Sequence, residues 1–461
     1  MAARLVSIDR ETPLLLPPDL HDWVPDDHLV HFILDAVAAL DLRQVKVNER
    51  GTGSEQYPPT LLLALLIYSY ATGTFSSRRI EQSTYDSVPV RLLTADTHPD
   101  HDTICAFRRG HQALLTESFV KVLQLAQELK VLQVGQITVA VDGTKVLANA
   151  SKHSAVSYER AGRMLEQLEL EVQQLVAKAE QADCTPLQDG LTIPEEIVRR
   201  QERKAALAKA RAEIEARAQT RYAAELAKYE QKLAERVARK ERGQKGSGRP
   251  PMAPQPGPEG QDPYNFTDPD SRIMKAGNGD HFEQSYNAQA AVEVASRLVV
   301  GQRISQSPND KQELVADLAA IPQPVGPVAA VLVDSGFYSQ QAVRAVEQNN
   351  RTVVYAALER QSHHRSVADL ERKADPAAPA PEASLNEVMK HRLATAAGRA
   401  KYKLRQQTVE PVFGIFKSVL GFRHFLLRGL EKVKLEWTLL CAAYNLKRLH
   451  RLGGFGLAVA G

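Results

Sequence analysis

Three carboxylates are singled out by the residues around them. Two short apolar runs each end in an acid: Ile-Thr-Val-Ala-Val-Asp, from Ile137 to Asp142, and Ala-Val-Leu-Val-Asp, from Ala330 to Asp334. A β-branched run closed by Asp predicts a buried strand that delivers its acid to the sheet edge, because strands bury apolar side chains but not an unpaired charge. The third acid, Glu410, lies in a lysine- and arginine-rich segment, Tyr402-Lys-Leu-Arg-Gln-Gln-Thr-Val-Glu-Pro-Val-Phe-Gly-Ile-Phe-Lys417. Three converging carboxylates suit hard divalent cations. Magnesium takes oxygen ligands, usually only one or two from protein, and leaves positions open for phosphate and water. Taken singly, Asp142 or Asp334 also reads as a turn-capping Asp after a strand.

From Ile137 onward the pattern alternates between strand and helix. Ser285 to Val294 and Leu298 to Ile304 have β-type composition and are separated by a short Ala-Ser-Arg turn. Pro308 is expected to start a helix reaching about Ala320, with Asn309 and Asp310 as its cap. Gln340 to Gln348 reads as helix and Arg351 to Ala357 as a further strand. Between the first two strands, Leu165, Leu168, Val172 and Leu175 alternate three and four apart, as do Tyr222, Leu226, Tyr229 and Leu233. These heptad-like seams predict an antiparallel helical hairpin over residues 155–242, broken at Pro186 and Pro194 and followed by a flexible linker over 243–263. A second loose stretch, Asp375 to Ala383, precedes the Glu410 helix.

Residues 1–130 read as helical. Asp26 and Asp27 are expected to cap a helix with Leu29, Ile33, Val37 and Leu40 on one face. Pro58-Pro59 opens the next helix, and Gly73 closes it. Further helices are expected at Ser77 to Tyr85 and from Thr103 to Leu129, with Asp102 as cap. Short helices joined by tight turns, one carrying Arg108 and Arg109, are compatible either with a helix-turn-helix-like DNA reader or with a plain packing domain.

At 461 residues the chain can hold two or three domains, and its hydrophobic content of 43% is that of a globular protein. A net charge of +3 does not by itself identify a nucleic-acid binder. Its distribution is more informative. From Asn386 to Arg451 fourteen Lys and Arg face four Asp and Glu, whereas Met1 to Arg50 holds five basic and nine acidic residues. The basic stretch is threaded with Tyr402, Phe413, Phe416, Phe422 and Phe425, which reads either as a phosphate-facing surface or as a solvated helical face over core aromatics. Lys417, seven residues after Glu410, can share its face and hold a phosphate. His98 and His101 lack a third metal-ligand partner in sequence and read as surface or capping residues. Three cysteines, Cys105, Cys184 and Cys441, form no Cys-x-x-Cys pair, which points to a reducing compartment. The longest apolar run, from Leu61 to Ile67 extended to Tyr70, is too short to span a bilayer, and the amino terminus has no basic start followed by an apolar stretch. The expected location is the cytoplasm.

Asp142-Gly-Thr-Lys, Asp334-Ser-Gly-Phe-Tyr, and Tyr402, Arg405, Glu410 and Lys417 together resemble the DDE transposases of bacterial insertion sequences. The segment from Tyr57-Pro-Pro to Arg108-Arg109 is similar to that family's amino-terminal helical domain, and Gly279-Asp-His-Phe-Glu-Gln-Ser-Tyr-Asn-Ala-Gln289 extends the likeness through mid-chain. Four residues separate Arg405 from Glu410, one more than in the related signature, so the helical phase differs by one position. The resemblance implies an α+β or α/β protein: a helical DNA-binding domain at 1–130 and an RNase H-like mixed-sheet core at 131–154 and 264–461, interrupted by the coiled-coil-like insertion. It implies an endonuclease and strand-transfer enzyme working through two metal ions, magnesium or manganese. Asp142 would bridge the ions, Asp334 would hold one and Glu410 the other, while Tyr402, Arg405, Lys417, Arg108 and Arg109 would contact DNA. The implied partners are double-stranded transposon ends and target DNA, bound by a homodimer or higher oligomer in association with the bacterial nucleoid. A hydrolytic nuclease of the same fold and a noncatalytic DNA-binding descendant are the competing readings.

Overall fold

A computed structural model describes residues 19–40, 56–133, 135, 137–182, 193–242, 250–275, 281–350, 352–359 and 375–453. The chain divides into two compact units, Met1–Leu147 with Tyr286–Gly461, and Ala148–Ser285. The first unit is mixed, with helices at both chain ends enclosing a sheet.

Its amino-terminal helices are α1 (Leu20–Trp23), α2 (Leu29–Ala38), α3 (Pro59–Ala71), α4 (Ser77–Asp86), α5 (Val88–Leu93), α6 (His101–Gly110) and α7 (Gln112–Glu128). The cap of α2 is His28, whose ring accepts from the Val30 amide, and not Asp26 or Asp27. Helix α3 is apolar on every side and buried from Leu62 to Ala71, as expected of a helix at the centre of a bundle. It ends at Gly73, whose φ of +85° a side chain rarely tolerates, and a Cβ there would lie 2.8 Å from the Leu420 carbonyl oxygen. The single helix expected from Thr103 to Leu129 is two, α6 and α7, divided at Gly110 and His111, where the backbone leaves helical geometry. Asp100, not Asp102, caps α6 by accepting from the Thr103 amide at 2.8 Å.

The sheet of this unit contains β1 (Ile137–Leu147), β5 (Phe282–Glu293, entering the unit at Tyr286), β6 (Val299–Ser305), β7 (Val328–Val333) and β8 (Val353–Ala356), in the order β6-β5-β1-β7-β8. β1, β7 and β8 run parallel, and β5 and β6 pair antiparallel. Strand β1 does not stop at Asp142. It continues through Leu147, whose backbone exchanges hydrogen bonds with Arg423 and Phe425. The expected helix from Pro308 shrinks to α10 (Leu314–Ala319). The Ser307 hydroxyl accepts from the Asn309 amide and the Asn309 side chain from the Lys311 amide, local bonds that compete with a helical start.

Helices α11 (Gln340–Asn350), α12 (Leu385–Ala394), α13 (Ala396–Gly414) and α14 (Leu430–Arg451) complete the unit. Helix α14 is clamped to the sheet: the Trp437 indole donates to the Gln289 carbonyl, and the Asn445 amide bonds both backbone groups of Val299. Trp437 is fully buried, so its truncation to Ala should cost about 3–5 kcal/mol. After α13, which contains Pro411, the chain makes a π-helical turn from Ile415 to Val419.

In the second unit, β2 (Ala155–Ser157) pairs antiparallel with β3 (Pro263–Asn265) at the base of two helices, α8 (Tyr158–Ala182) and α9 (Ile193–Glu241). Ion pairs of Arg200 with Glu171 and of Lys204 with Glu169, and the hydrogen bond that Arg211 donates to the Tyr158 hydroxyl, fix α8 antiparallel to the first half of α9. Leu168 shares one buried cluster with Leu207, Ala210 and Ile214, so the first seam packs on residues ahead of the second. Tyr222, Leu226, Tyr229 and Leu233 stay half-buried or exposed. β4 (Arg272–Lys275) pairs antiparallel with the opening residues of β5. Pro186, Cys184, residues 243–249 of the expected linker and Gly279-Asp280 lie outside the described residues.

Candidate functional site on the central strand

The parallel register of β1 and β7 pairs Ala140 with Leu332, and two residues further on Asp142 comes level with Asp334. The strands place these acids together because both are apolar, buried and adjacent. Asp142 is raised to about 7, first by burial and then by the charge of Asp334, against the pull of the Arg405 guanidinium and the Gly143 amide. Asp334 accepts from the Gly336 amide at 2.8 Å.

Helix α13 carries Arg405 into the same site. One nitrogen of its guanidinium lies 3.6 Å from Asp142, another donates to Glu410 at 3.1 Å, and the side chain is 13% exposed. Arg405 therefore links the first acid to the third. Glu410 itself is half exposed on α13. Tyr402 is pushed up by burial and by the Asp334 charge, opposed by Arg405, so its ring sits close to both.

Lys417 lies in the π-helical turn and donates to the Lys145 carbonyl at 2.9 Å, which ties that turn to β1. Burial and the neighbouring Lys145 charge both lower its pKa. The expected helical face shared with Glu410 is interrupted by the π turn, but Lys417 reaches the strand that bears Asp142.

Four polar residues without a catalytic or binding role in the sequence reading, Lys145, Asp310, Asn287 and Gln289, complete the site. Lys145, three residues beyond Asp142, has its ammonium 3.9 Å from Asp310. Asp310 does not cap a helix with its side chain; one carboxylate oxygen accepts from the amides of Asn287 at 2.6 Å and Gln289 at 2.7 Å. Asn287 and Gln289 are buried on β5. A Cβ at Gly143 would come within 2.8 Å of Asp310 and Asn287 and 2.5 Å of Gln289, so any larger residue there would have to displace these side chains. The legible signal was two amide side chains at alternate positions of an otherwise apolar strand, which puts both on one face.

Other candidates belong elsewhere. Arg108 is 3% exposed and cannot face DNA: it donates to the Tyr70 hydroxyl and the Phe75 carbonyl inside the helical core. Its neighbour Arg109 is exposed. Phe413, Phe416, Phe422 and Phe425 are core residues: Phe416 packs edge-on against Trp437 and Tyr444, Phe422 edge-on against Phe425, and Phe413 tilted against Phe416 and Trp437. His98 stacks on Tyr85, and His101 pairs with Glu81.

The site offers two converging carboxylates, one of them with its negative charge disfavoured by burial, with Arg405 and Lys145 beside Asp142 and Lys417 next to Lys145. Hard oxygen donors whose mutual repulsion a divalent cation would relieve fit magnesium, which needs only one or two protein ligands. Among the described residues, no group of three or more His, Cys, Asp or Glu side chains is arranged to hold a metal ion. Glu410 is engaged by Arg405 instead.

Residues 373–450 match the family model of a transposase DDE domain, and residues 18–110 match that of a transposase domain, DUF772. The first spans Glu410, Arg405 and α14; the second spans α1 to α6. No curated protein and no solved structure matches the chain.

Proposed function

Since the chain belongs to the DDE transposases of insertion sequences, we propose that it cuts the double-stranded ends of its own DNA element and joins them to target DNA, with Asp142, Asp334 and Glu410 as its acids. The observation that carries this reading is the convergence of Asp142 and Asp334 across parallel strands with Arg405 joining Asp142 to Glu410. An RNase H-like core is supported by the strand order β6-β5-β1-β7-β8 with the last three parallel.

Magnesium or manganese held by Asp142 and Asp334, with Glu410 once released from Arg405, would activate an attacking oxygen and stabilise the leaving one. The chain's own residues do the rest. Burial and Asp334 keep Asp142 protonated to unusually high pH, so cation binding must displace that proton. Arg405 and Lys417 supply cationic hydrogen-bond donors to backbone phosphates, with Tyr402 beside them. Arg109 on α6 is a candidate DNA contact of the amino-terminal region.

Holding two element ends at once requires at least two protomers. Among the described residues no helix is long and apolar enough to cross a membrane, and work on DNA in the bacterial cytoplasm is part of the proposal. Replacing Asp142, Asp334 or Glu410 by Ala should abolish magnesium-dependent strand cleavage while largely preserving end binding. A variant that cuts near the wild-type rate removes that residue from the set. Cleavage without joining in the wild type would favour a hydrolytic nuclease instead.

A further inference from the structure

Lys145 is the least accommodated charge in the site. Its ammonium nitrogen is buried and has no hydrogen-bond partner among the described residues, although a lysine carries three donors. Its nearest acid, Asp310, is 3.9 Å away, beyond hydrogen-bond range. The Asp310 oxygen that faces it already accepts two amide hydrogens, from Asn287 and Gln289. Those two amides are themselves buried, and their own oxygens also lack hydrogen-bond partners. The carboxylate is thus held in place by β5, while the lysine beside it is held only by charge. A buried ammonium with unmet donors is costly unless a ligand meets them.

A second ammonium, Lys417, donates to the backbone carbonyl of this same Lys145, and the two charges are close enough for Lys145 to lower the pKa of Lys417. Two like charges brought together, one of them on β1 three residues beyond Asp142 and close enough to feel its charge, without a carboxylate hydrogen-bonded to Lys145, describe an anion site. We propose that Lys145 and Lys417 form a clamp for a DNA phosphate next to the acids, and that Asp310, braced by Asn287 and Gln289, is an internal anion on which Lys145 rests until the phosphate replaces it. This deepens the transposase reading and rests on it. The braced acid holds the lysine's ammonium in place in the free protein, so that the clamp is already formed when DNA arrives.

The two roles of Asp310 predict opposite effects. As a stand-in anion it competes with DNA, and Asp310→Asn, which keeps an oxygen for the two amides but removes the charge, should tighten binding. As a mere structural partner its loss should weaken binding. The experiment uses the full chain carrying Asp142→Asn, so that DNA is bound without being cut, and duplex DNA bearing the ends of the element that encodes it. Affinity is measured across a salt series, with thermal melting to verify folding. Lys145→Met should lower the slope of log affinity against log salt by about 0.9, the value of one phosphate contact, and Lys145→Arg should keep the wild-type slope. The gain from Asp310→Asn should vanish when Lys145→Met is added. An unchanged slope in folded Lys145→Met, or weaker binding by Asp310→Asn, overturns the clamp. Should Lys145→Met fail to fold, tighter binding by Asp310→Asn and a wild-type slope in Lys145→Arg remain required. Failure of the parent reading is distinct: the chain with Asp142 intact would not cut the same DNA in magnesium.

Discussion

Two buried cation clusters in the same unit share residue types but differ in how completely they are matched. In the helical core, the Arg108 guanidinium donates to Tyr70, Tyr70 donates to Glu436 at 3.1 Å, and the other Glu436 oxygen accepts from the amides of Leu426 and Leu427. Only the Arg108 Nε atom lacks a partner there. At the candidate site, Arg405 stands 3.6 Å from Asp142, the Lys145 ammonium lacks a hydrogen-bond partner, and Asp142 is raised to about 7. The first cluster is closed on itself and holds α3, α6 and α14 together. The second leaves the Lys145 ammonium without a hydrogen bond and Asp142 beside a like charge, next to the half-exposed Glu410, an imbalance that a phosphate and a metal would relieve. Completeness of pairing separates the closed cluster from the open one where residue type does not.

The largest effect should come from opening the closed cluster. Arg108→Ala leaves Glu436 buried without its compensating charge, at a cost of about 3–5 kcal/mol, while the salt dependence of DNA binding in the protein that remains folded should not change. Arg109→Ala, one residue on and exposed, should show the reverse: little effect on melting and a shallower salt slope. If Arg108→Ala melts as the wild type does, the closed cluster does not stabilise the core.

The open cluster should respond in the opposite direction. Asp142 has its folded-state pKa raised from 3.8 to about 7, so the stability its neutral form lends is full below about pH 4 and is lost as pH rises to about 7. Above that, carrying the charge costs up to about 4 kcal/mol by linkage. Asp142→Asn should therefore melt higher than the metal-free wild type at pH 8, and the two should converge at pH 4. Equal melting at both pH values would show that Asp142 carries no such strain.

The strands and acids were legible because buried parallel strands are nearly continuous apolar runs, and Val139 to Val141 and Val331 to Val333 follow that rule closely. The capping residues were not: His28 and Asp100 replaced the expected Asp26, Asp27 and Asp102, since several polar residues near a helix start can serve and tertiary geometry selects among them. Arg108 follows Ile104 by one helical turn and so shares its buried face, where Tyr70 receives it, whereas Arg109 falls outside that face. Asp310 read as a helix cap because the amides that claim it lie on β5, more than twenty residues earlier. Asn287 and Gln289 could have been found, as paired amides on one face of an apolar strand have few explanations other than a buried polar site.

Arg405 gives a smaller test of the same contrast. Its charge holds the Asp142 pKa down against burial and Asp334. In Arg405→Ala that opposition is gone, so the pH at which the metal-free protein releases this proton should move upward, and the melting difference from Asp142→Asn should appear only at higher pH. Arg405→Lys should restore part of the shift, because a point charge survives while the fork that reaches both Asp142 and Glu410 does not. An unmoved titration in Arg405→Ala would mean that the guanidinium and Asp142 are not coupled.

Lys417 gives the smallest effect and the sharpest contrast with Arg108. Both are cations drawn partly out of solvent, and both donate to a backbone carbonyl, Lys417 to Lys145 and Arg108 to Phe75. Lys417, however, meets a second lysine where Arg108 meets a tyrosine and a glutamate. Burial and that neighbour already disfavour its charge, so Lys417→Met should cost little stability or even add some, while removing one phosphate contact and lowering the salt slope by about 0.9. A variant that melts markedly lower with an unchanged slope would place Lys417 with Arg108 among the structural cations, and the difference between the two clusters would then rest on Lys145 alone.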